Sequence, residues 1–296
     1  MHKCNILDGK AFAAKLYQEL EADLELLKSK YNLTPGLAVI LVGDDPASRI
    51  YVSNKVKKAK EVGINIFEYY FPESTSQKIL IAKIEALNND AKVHGILVQL
   101  PLPKHLDSYE IVNTINHMKD VDGFTVKNVG LLNTWQPCLE PSTPAGVLKL
   151  LKSIYNDNLT GKRVVIIGRS TIVGRPISSI LLREDCTVTV LHSKSEDLVA
   201  EAKRADILIS ATGSPKMVKA DWVRPGACVI DVGIVRVGDK IVGDVDFDEV
   251  SKVAGFITPV PGGIGPITVA SMLTNTLKAA CMQRKIDLLG DRKGQC

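Results

Sequence analysis

No two of the six cysteines (Cys4, Cys138, Cys186, Cys228, Cys281, Cys296) form a C-x-x-C pair, and the gaps between them are long and irregular. That spacing argues against a zinc site or a disulfide framework, and for reduced thiols in a cytosolic protein. Histidine is scarce as well. The five histidines (His2, His94, His105, His117, His192) show no i, i+4 pair and no ligand spacing, so no metal is expected. No run reaches the ~18 apolar residues of a membrane span. The N-terminal stretch MHKCNILDGKAFAAKL lacks the uninterrupted apolar core of a secretory leader. It also lacks arginine, and Asp8 and Glu19 come early, which argues against a mitochondrial leader. A cytoplasmic protein with no membrane partner is therefore expected. Internal repeats and low-complexity segments are missing. Neither sign of charge is in large excess: a net charge of +4 is too small to argue for a nucleic-acid partner, though it is compatible with anionic small molecules.

What is present is an ordinary globular composition, 45% hydrophobic and 24% charged, in a chain of 296 residues. That is enough to bury a sizeable core without staples, as one large domain or two ordinary ones. Strand-like runs occur at 37–43, 65–71, 94–100, 163–168, 187–192, 206–212 and 228–234. Helical periodicity lies between them, at 10–30, 47–62, 76–90, 144–155, 176–184 and 267–282. Apolar runs joined by crossover helices predict parallel sheet buried on both faces, and an α/β class. The prolines and small polar residues of TWQPCLEPSTPAG (134–146) interrupt the alternation and predict a boundary there. The last helix is expected to follow a Gly/Pro turn, PVPGGIGP (259–266). The final residues, IDLLGDRKGQC, read as a frayed tail.

The stretch GKRVVIIGRSTIVGRPISSILL (161–182) reads as strand, glycine turn and helix. It departs from G-x-G-x-x-G: Gly168 takes the first place, Ser170 the second and Val173 the third, with Gly174 next. Pro176 suits the first turn of a helix. In such a βαβ unit the helix N-terminus faces a pyrophosphate with free backbone N–H groups. The alternative is a tight turn without a ligand. The end of the next strand favours a ligand. Sites that select NAD usually place Asp or Glu there. Here Ser193 and Lys194 stand instead, with Arg169 in the first turn, so a 2′-phosphate is accommodated and NADP is favoured over NAD. Thr212, Gly213, Gly233 and Ile234, beyond later strands, are candidates to line the same crevice. Asp231 and Asp244 read as structural turn residues rather than catalytic ones.

Four lysines fall within YVSNKVKKAK (51–60). At about 100° per residue, with Tyr51 at zero, Val52, Val56, Ala59, Val62 and Gly63 fall at about 100°, 140°, 80°, 20° and 120°, an apolar stripe. Lys57, Lys58 and Lys60 lie outside it, at about 240°, 340° and 180°. Lys55 falls inside it at about 40°, with Tyr51 at its edge. Such a lysine either snorkels to water or sits partly desolvated, with its pKa lowered toward a range useful for proton transfer. Gln99, before Pro101 and Pro103, presents an amide at a strand end as both donor and acceptor. Asp120 and Asp122 in DVDGF either cap turns or bind an amidine-like edge. The glycines of PGGIGP (261–266) permit close approach to a ligand.

LVGDDPASRIYVSNK (41–55), GILVQLPLP (95–103), DVDGF (120–124), PSTPAGV (141–147), GKRVVIIGRSTIVGRP (161–176) and PVPGGIGPITVASMLTNT (259–276) stand in this order along the chain. Together they resemble the bacterial-type bifunctional methylenetetrahydrofolate dehydrogenase/methenyltetrahydrofolate cyclohydrolases, over roughly residues 5 to 282. The resemblance implies two α/β domains. The first is a folate-binding catalytic domain, 1–140, completed by the C-terminal helix at about 268–296. The second is a Rossmann-like NADP-binding domain, 141–267, with the active-site cleft between the two. It implies a homodimer, tetrahydrofolate derivatives as substrates and NADP as cofactor. The synthetase domain that some relatives append is not expected here. The family's catalytic lysine falls on Lys55, its stacking tyrosine on Tyr51, its glutamine on Gln99 and its pterin-binding aspartate on Asp122. Val52, Ser53, Asn54, Val98 and Leu100 flank them. On the folate side come Pro261, Gly262, Gly263, Ile264, Gly265, Pro266, Ile267, Thr268 and Val269. Gly168, Arg169, Ser170, Ser193 and Ile234 fall on cofactor positions. Two alternatives remain at this point: a dehydrogenase-only relative, which could be NAD-dependent through a recruited phosphate ion, and a non-catalytic NADP-binding scaffold.

Overall fold

The computed structural model describes residues 4–288 and residue 290. Of the tail expected to fray, residue 289 and residues 291–296 lie outside the described residues. The strands are β1 (Asn5–Ile6), β2 (Gly36–Val42), β3 (Asn65–Phe71), β4 (Gly95–Val98), β5 (Arg163–Ile167), β6 (Thr187–Leu191), β7 (Ile207–Ser210), β8 (Cys228–Asp231), β9 (Val235–Val237), β10 (Lys240–Val242) and β11 (Phe256–Ile257). The helices are α1 (Gly9–Tyr31), α2 (Pro46–Glu61), α3 (Gln77–Asn89), α4 (Ser108–Thr114), α5 (Val126–Asn133), α6 (Ser142–Ile154), α7 (Gly174–Arg183), α8 (Leu198–Ala202), α9 (Phe247–Val250) and α10 (Ile264–Arg284). They fall into two compact units: Leu16–Ser142 with Ser271–Cys296, and Met1–Lys15 with Thr143–Ala270.

The first of these units is built on a parallel sheet of order β3-β2-β4. Every residue of central β2, GLAVILV, is buried, as a strand covered on both faces requires. Ala38, Ile40 and Val42 pack with Leu80, Ile84 and Leu87 of α3, and with Ile96, Val98 and Ile111. The α2 helix starts cleanly because the Asp45 carboxylate accepts the Ser48 N–H at 2.7 Å and Pro46 needs no partner for its nitrogen. Its buried residues include Val52, Val56 and Ala59, the stripe expected from the sequence. The β4 strand stops at Val98, two residues short of the expected end. Gln99 N–H still donates to Ile40 O at 2.9 Å, but Pro101 has no N–H with which to continue the ladder.

The other unit holds a six-stranded parallel sheet of order β1-β11-β8-β7-β5-β6. Val165, Ile167, Leu208, Val229 and Ile257 form its core with Ala202, Val223 and Val250. The α7 helix turns Ile177, Ile180 and Leu181 inward. Four short strands escaped the sequence reading. β1 pairs Asn5 with Phe256 of β11, and β9 and β10 form an antiparallel hairpin. Each has only two or three residues, too few to show a period of two. The last helix begins at Ile264, inside the expected turn. Pro266 is tolerated there because a first-turn N–H has no intrahelical acceptor.

Candidate active site

Lys55 sits on α2, half-buried, and its Nζ donates to Gln99 Oε1 at 3.0 Å. The Gln99 amide nitrogen donates to Leu100 O at 2.6 Å, which fixes the oxygen toward the lysine. Gln99 holds its place because it follows β4, the neighbour of β2. The other three lysines of the run are engaged elsewhere: Lys57 and Lys58 with Glu61, at 4.0 and 2.6 Å, and Lys60 with Glu68 at 2.8 Å. Lys57→Ala should therefore leave the dehydrogenase and cyclohydrolase activities that the resemblance implies within about twofold of wild type, since exposed ion pairs contribute little. A tenfold loss in steady-state assays would place Lys57, not Lys55, at the chemistry. Tyr51 keeps 37% of its surface exposed, and partial burial raises its hydroxyl pKa. Ser53 and Asn54 are exposed, whereas Val52 and Val98 are core residues at 1% and 4% exposure. Any ligand contact from those two valines is through backbone.

The two aspartates of DVDGF have different fates. Asp120 is buried, and its Oδ2 accepts from Thr125 N–H at 2.7 Å and Asn128 Nδ2 at 3.0 Å. It is a turn-holding residue. The Asp122 carboxylate is half-buried and takes no hydrogen bond from any described residue. Burial pushes its pKa up to about 6; the positive charge of Lys55 opposes that rise and the charge of Asp120 adds to it. Solvent reaches part of the side chain, but surrounding protein strips most of its hydration. Sequence reasoning missed what seats this loop. The buried Asn275 of α10 donates from Nδ2 to Val121 O at 2.9 Å and Glu140 O at 2.7 Å, and Ser142 Oγ donates to Val121 O at 3.1 Å. An asparagine inside an apolar helical run was the available signal.

In the other unit, the turn after β5 has the shape of a dinucleotide turn. Gly168 adopts φ +120°, and a Cβ there would overlap Ala211 O. A Cβ on Gly174 would overlap Gly168 O, so Gly174, rather than Val173, lets the helix close on the strand. Ser170 Oγ accepts from Val173 N–H at 3.2 Å and Gly174 N–H at 3.4 Å. Arg169, Ser170, Ser193 and Lys194 are exposed. So is Arg175, a cation the sequence reading passed over although it follows Gly174 directly. Arg169, Arg175 and Lys194 have no acidic partner among the described residues, and residues 192–195 carry no carboxylate. A glycine-shaped turn with unpaired cations and no repelling acid fits a phosphate-bearing dinucleotide.

Thr212 and Gly213 N–H groups are held by the Asp244 carboxylate, and Gly233 N–H by Asp231. Ile234 is 46% exposed beside them in sequence. Along Pro261–Val269, Gly262 needs its φ of +100°, and a Cβ on Gly9 would overlap Gly263 O. Ile264 and Ile267 are buried, and Thr268 Oγ1 bonds Thr143 Oγ1 at 3.0 Å.

Comparison with known proteins gives these features a family. A family model described as tetrahydrofolate dehydrogenase/cyclohydrolase, catalytic domain, matches residues 7–122. The corresponding NAD(P)-binding domain model matches residues 141–284. The chain is 51% identical over 280 residues to Bifunctional protein FolD 2 of Paracoccus denitrificans, covering 93% of this chain and 92% of that one. Among solved structures, the bifunctional FolD enzyme of Campylobacter jejuni superposes with a TM-score of 0.91 at 49% identity, covering 95% of this chain and 99% of that one. The FolD of Trypanosoma brucei, solved with NADP cofactor and an inhibitor, gives a TM-score of 0.91 at 37% identity, covering 96% and 99%. With both family models matched in order and half the residues shared over nearly the whole length, this chain belongs to the tetrahydrofolate dehydrogenase/cyclohydrolase family.

Proposed function

We propose that the chain carries out two consecutive reactions on a one-carbon folate. It oxidises 5,10-methylenetetrahydrofolate to the 5,10-methenyl form with NADP, and hydrolyses that product to 10-formyltetrahydrofolate. NADP, when bound, supplies the acceptor for the hydride leaving the methylene carbon. Gly168, Arg169, Ser170, Ser193 and Lys194 would hold it, the turn and its cations taking the phosphates. For the folate, Tyr51 offers a ring face for stacking, and Asp122 offers an unoccupied carboxylate to the pterin amino edge. The nitrogen lone pair stabilises the cation that develops on oxidation, so that step needs positioning more than a base. Hydrolysis does need proton transfer. Lys55 moves the proton of the attacking water, and Gln99 holds Nζ in place.

The observation that carries the second activity is the Lys55 Nζ–Gln99 Oε1 bond of 3.0 Å. A dehydrogenase-only enzyme or a scaffold has no use for a lysine oriented in this way. We also propose that the protein acts as a cytoplasmic homodimer, as the family resemblance implies; no helix among the described residues is long and apolar enough to cross a membrane. The test is direct. Absorbance at 340 nm should rise when methylenetetrahydrofolate and NADP are mixed with the protein, faster than with NAD, with or without added phosphate. No rise supports the scaffold reading, and equal rates with NAD plus phosphate overturn the cofactor assignment.

A further inference from the structure

Two buried carboxylates take no part in the chemistry above. Asp244 is 0% exposed and Asp231 3%. Asp244 Oδ2 accepts from Ser210 Oγ at 3.1 Å, Thr212 N–H at 2.6 Å and Gly213 N–H at 3.3 Å. Asp231 Oδ1 accepts from Gly233 N–H at 2.9 Å and from the Asp244 N–H at 3.1 Å, and its Oδ2 accepts from Val245 N–H at 2.9 Å. The turns leaving β7 and β8 are thus tied to one pair of side chains. An ordinary turn aspartate is exposed and reaches two residues along its own backbone. Asp244 instead reaches back 32 residues to Thr212 and 31 to Gly213, from a fully buried position. A Cβ on Gly233 would overlap its carboxylate, so the second turn is moulded around the same group. The Asp244 Oδ1 has no hydrogen-bond partner among the described residues. Burying a carboxylate this way is costly and adds little to stability that a neutral cap would not. It does rigidify the turns, because hydrogen bonds to a charged acceptor are short and strong.

We propose that Asp244, seated by Asp231, is a positioning residue for dinucleotide binding: it fixes the Thr212–Gly213 and Gly233 turns in the conformation that receives NADP. This rests on the NADP reading above. The two fail separately, since a wild-type protein that binds NADP without reducing it sinks the functional reading alone. The test is the NADP Kd by calorimetry for wild type, Asp244→Ala and Asp244→Asn. Cyclohydrolase activity on methenyltetrahydrofolate, assayed without NADP, reports whether each variant is folded. Asp244→Ala should weaken NADP binding at least about tenfold, with hydrolysis within about twofold of wild type. Asp244→Asn keeps a carbonyl acceptor without the charge and should weaken it about threefold. An alanine variant that hydrolyses methenyltetrahydrofolate within about twofold of wild type and binds NADP with a Kd within about twofold of wild type overturns the proposal. If the alanine protein does not fold, the asparagine variant decides, and an unchanged Kd there overturns it.

Discussion

Lys55→Met should reduce hydrolysis of methenyltetrahydrofolate by about 10³-fold, in the range that proton-transfer catalysis contributes, while NADP binding is unchanged. The reasoning starts from α2. Its apolar stripe is fixed by helical periodicity, and Lys55 lies at that face with its Nζ bonded to Gln99. Methionine preserves a flexible, unbranched stem of similar length. The substitution thus removes the ammonium and little else. Gln99 is half-buried, so water can replace the lost donor on its oxygen. The oxidation should fall much less than the hydrolysis, because it asks for orientation rather than a base. Single-turnover assays of the two half-reactions separate these effects. Hydrolysis within tenfold of wild type in the methionine variant would remove Lys55 from its assigned role.

Asp122→Asn should move activity and stability in opposite directions. The Asp122 carboxylate has no hydrogen bond from the described protein and its pKa is pushed up to about 6, chiefly by burial. An amide would lose the charge-assisted bonds proposed to the pterin edge, so kcat/KM should drop about 10- to 100-fold for both proposed reactions. In the wild type, kcat/KM should also fall as pH drops through about 6, where the carboxylate takes up a proton; the asparagine variant should lack that limb. The sign for stability follows from linkage. The folded pKa lies above the ordinary 3.8, so between those values the folded state binds more protons than the unfolded state. Ionising Asp122 therefore destabilises the fold, fully above about pH 6 and not at all below 3.8. The size is about 3 kcal/mol. Urea unfolding of Asp122→Asn at pH 8 should show greater stability than wild type, with the advantage shrinking as pH is lowered through 6. A less stable variant at pH 8 would mean that the carboxylate has a stabilising partner.

The site was legible in the sequence to different depths. Lys55 was separable from Lys57, Lys58 and Lys60 because a helix fixes side-chain direction by position alone. Asp120 and Asp122 were not separable by residue chemistry, and only the family resemblance pointed to Asp122. Both sit in one tight acidic turn, and only the arrival of Thr125 N–H and Asn128 at Asp120 shows which carboxylate is consumed. The dinucleotide turn was legible from Gly168 and its flanking strand and helix. The role of Gly174 was not, because it depends on how closely α7 lies on Gly168 O. Asn275 and Asp244 act across 154 and 32 residues, to Val121 O and Thr212 N–H, beyond any local pattern.

The sequence by itself determined the α/β class, most helices and longer strands, the face of α2 that carries Lys55, and the ordered motifs that mark the family. These follow from periodicity and residue chemistry within short stretches, which chain geometry fixes locally. The resemblance pointed to Gln99 beside Lys55 and to Asp122, but only the tertiary structure gave the Lys55 Nζ–Gln99 Oε1 bond, the donors that consume Asp120, and the grip of Asp244 on the turn after β7. Those outcomes depend on sheet register and on buried donors finding acceptors from distant segments, since an unpaired buried polar group costs too much to leave to chance.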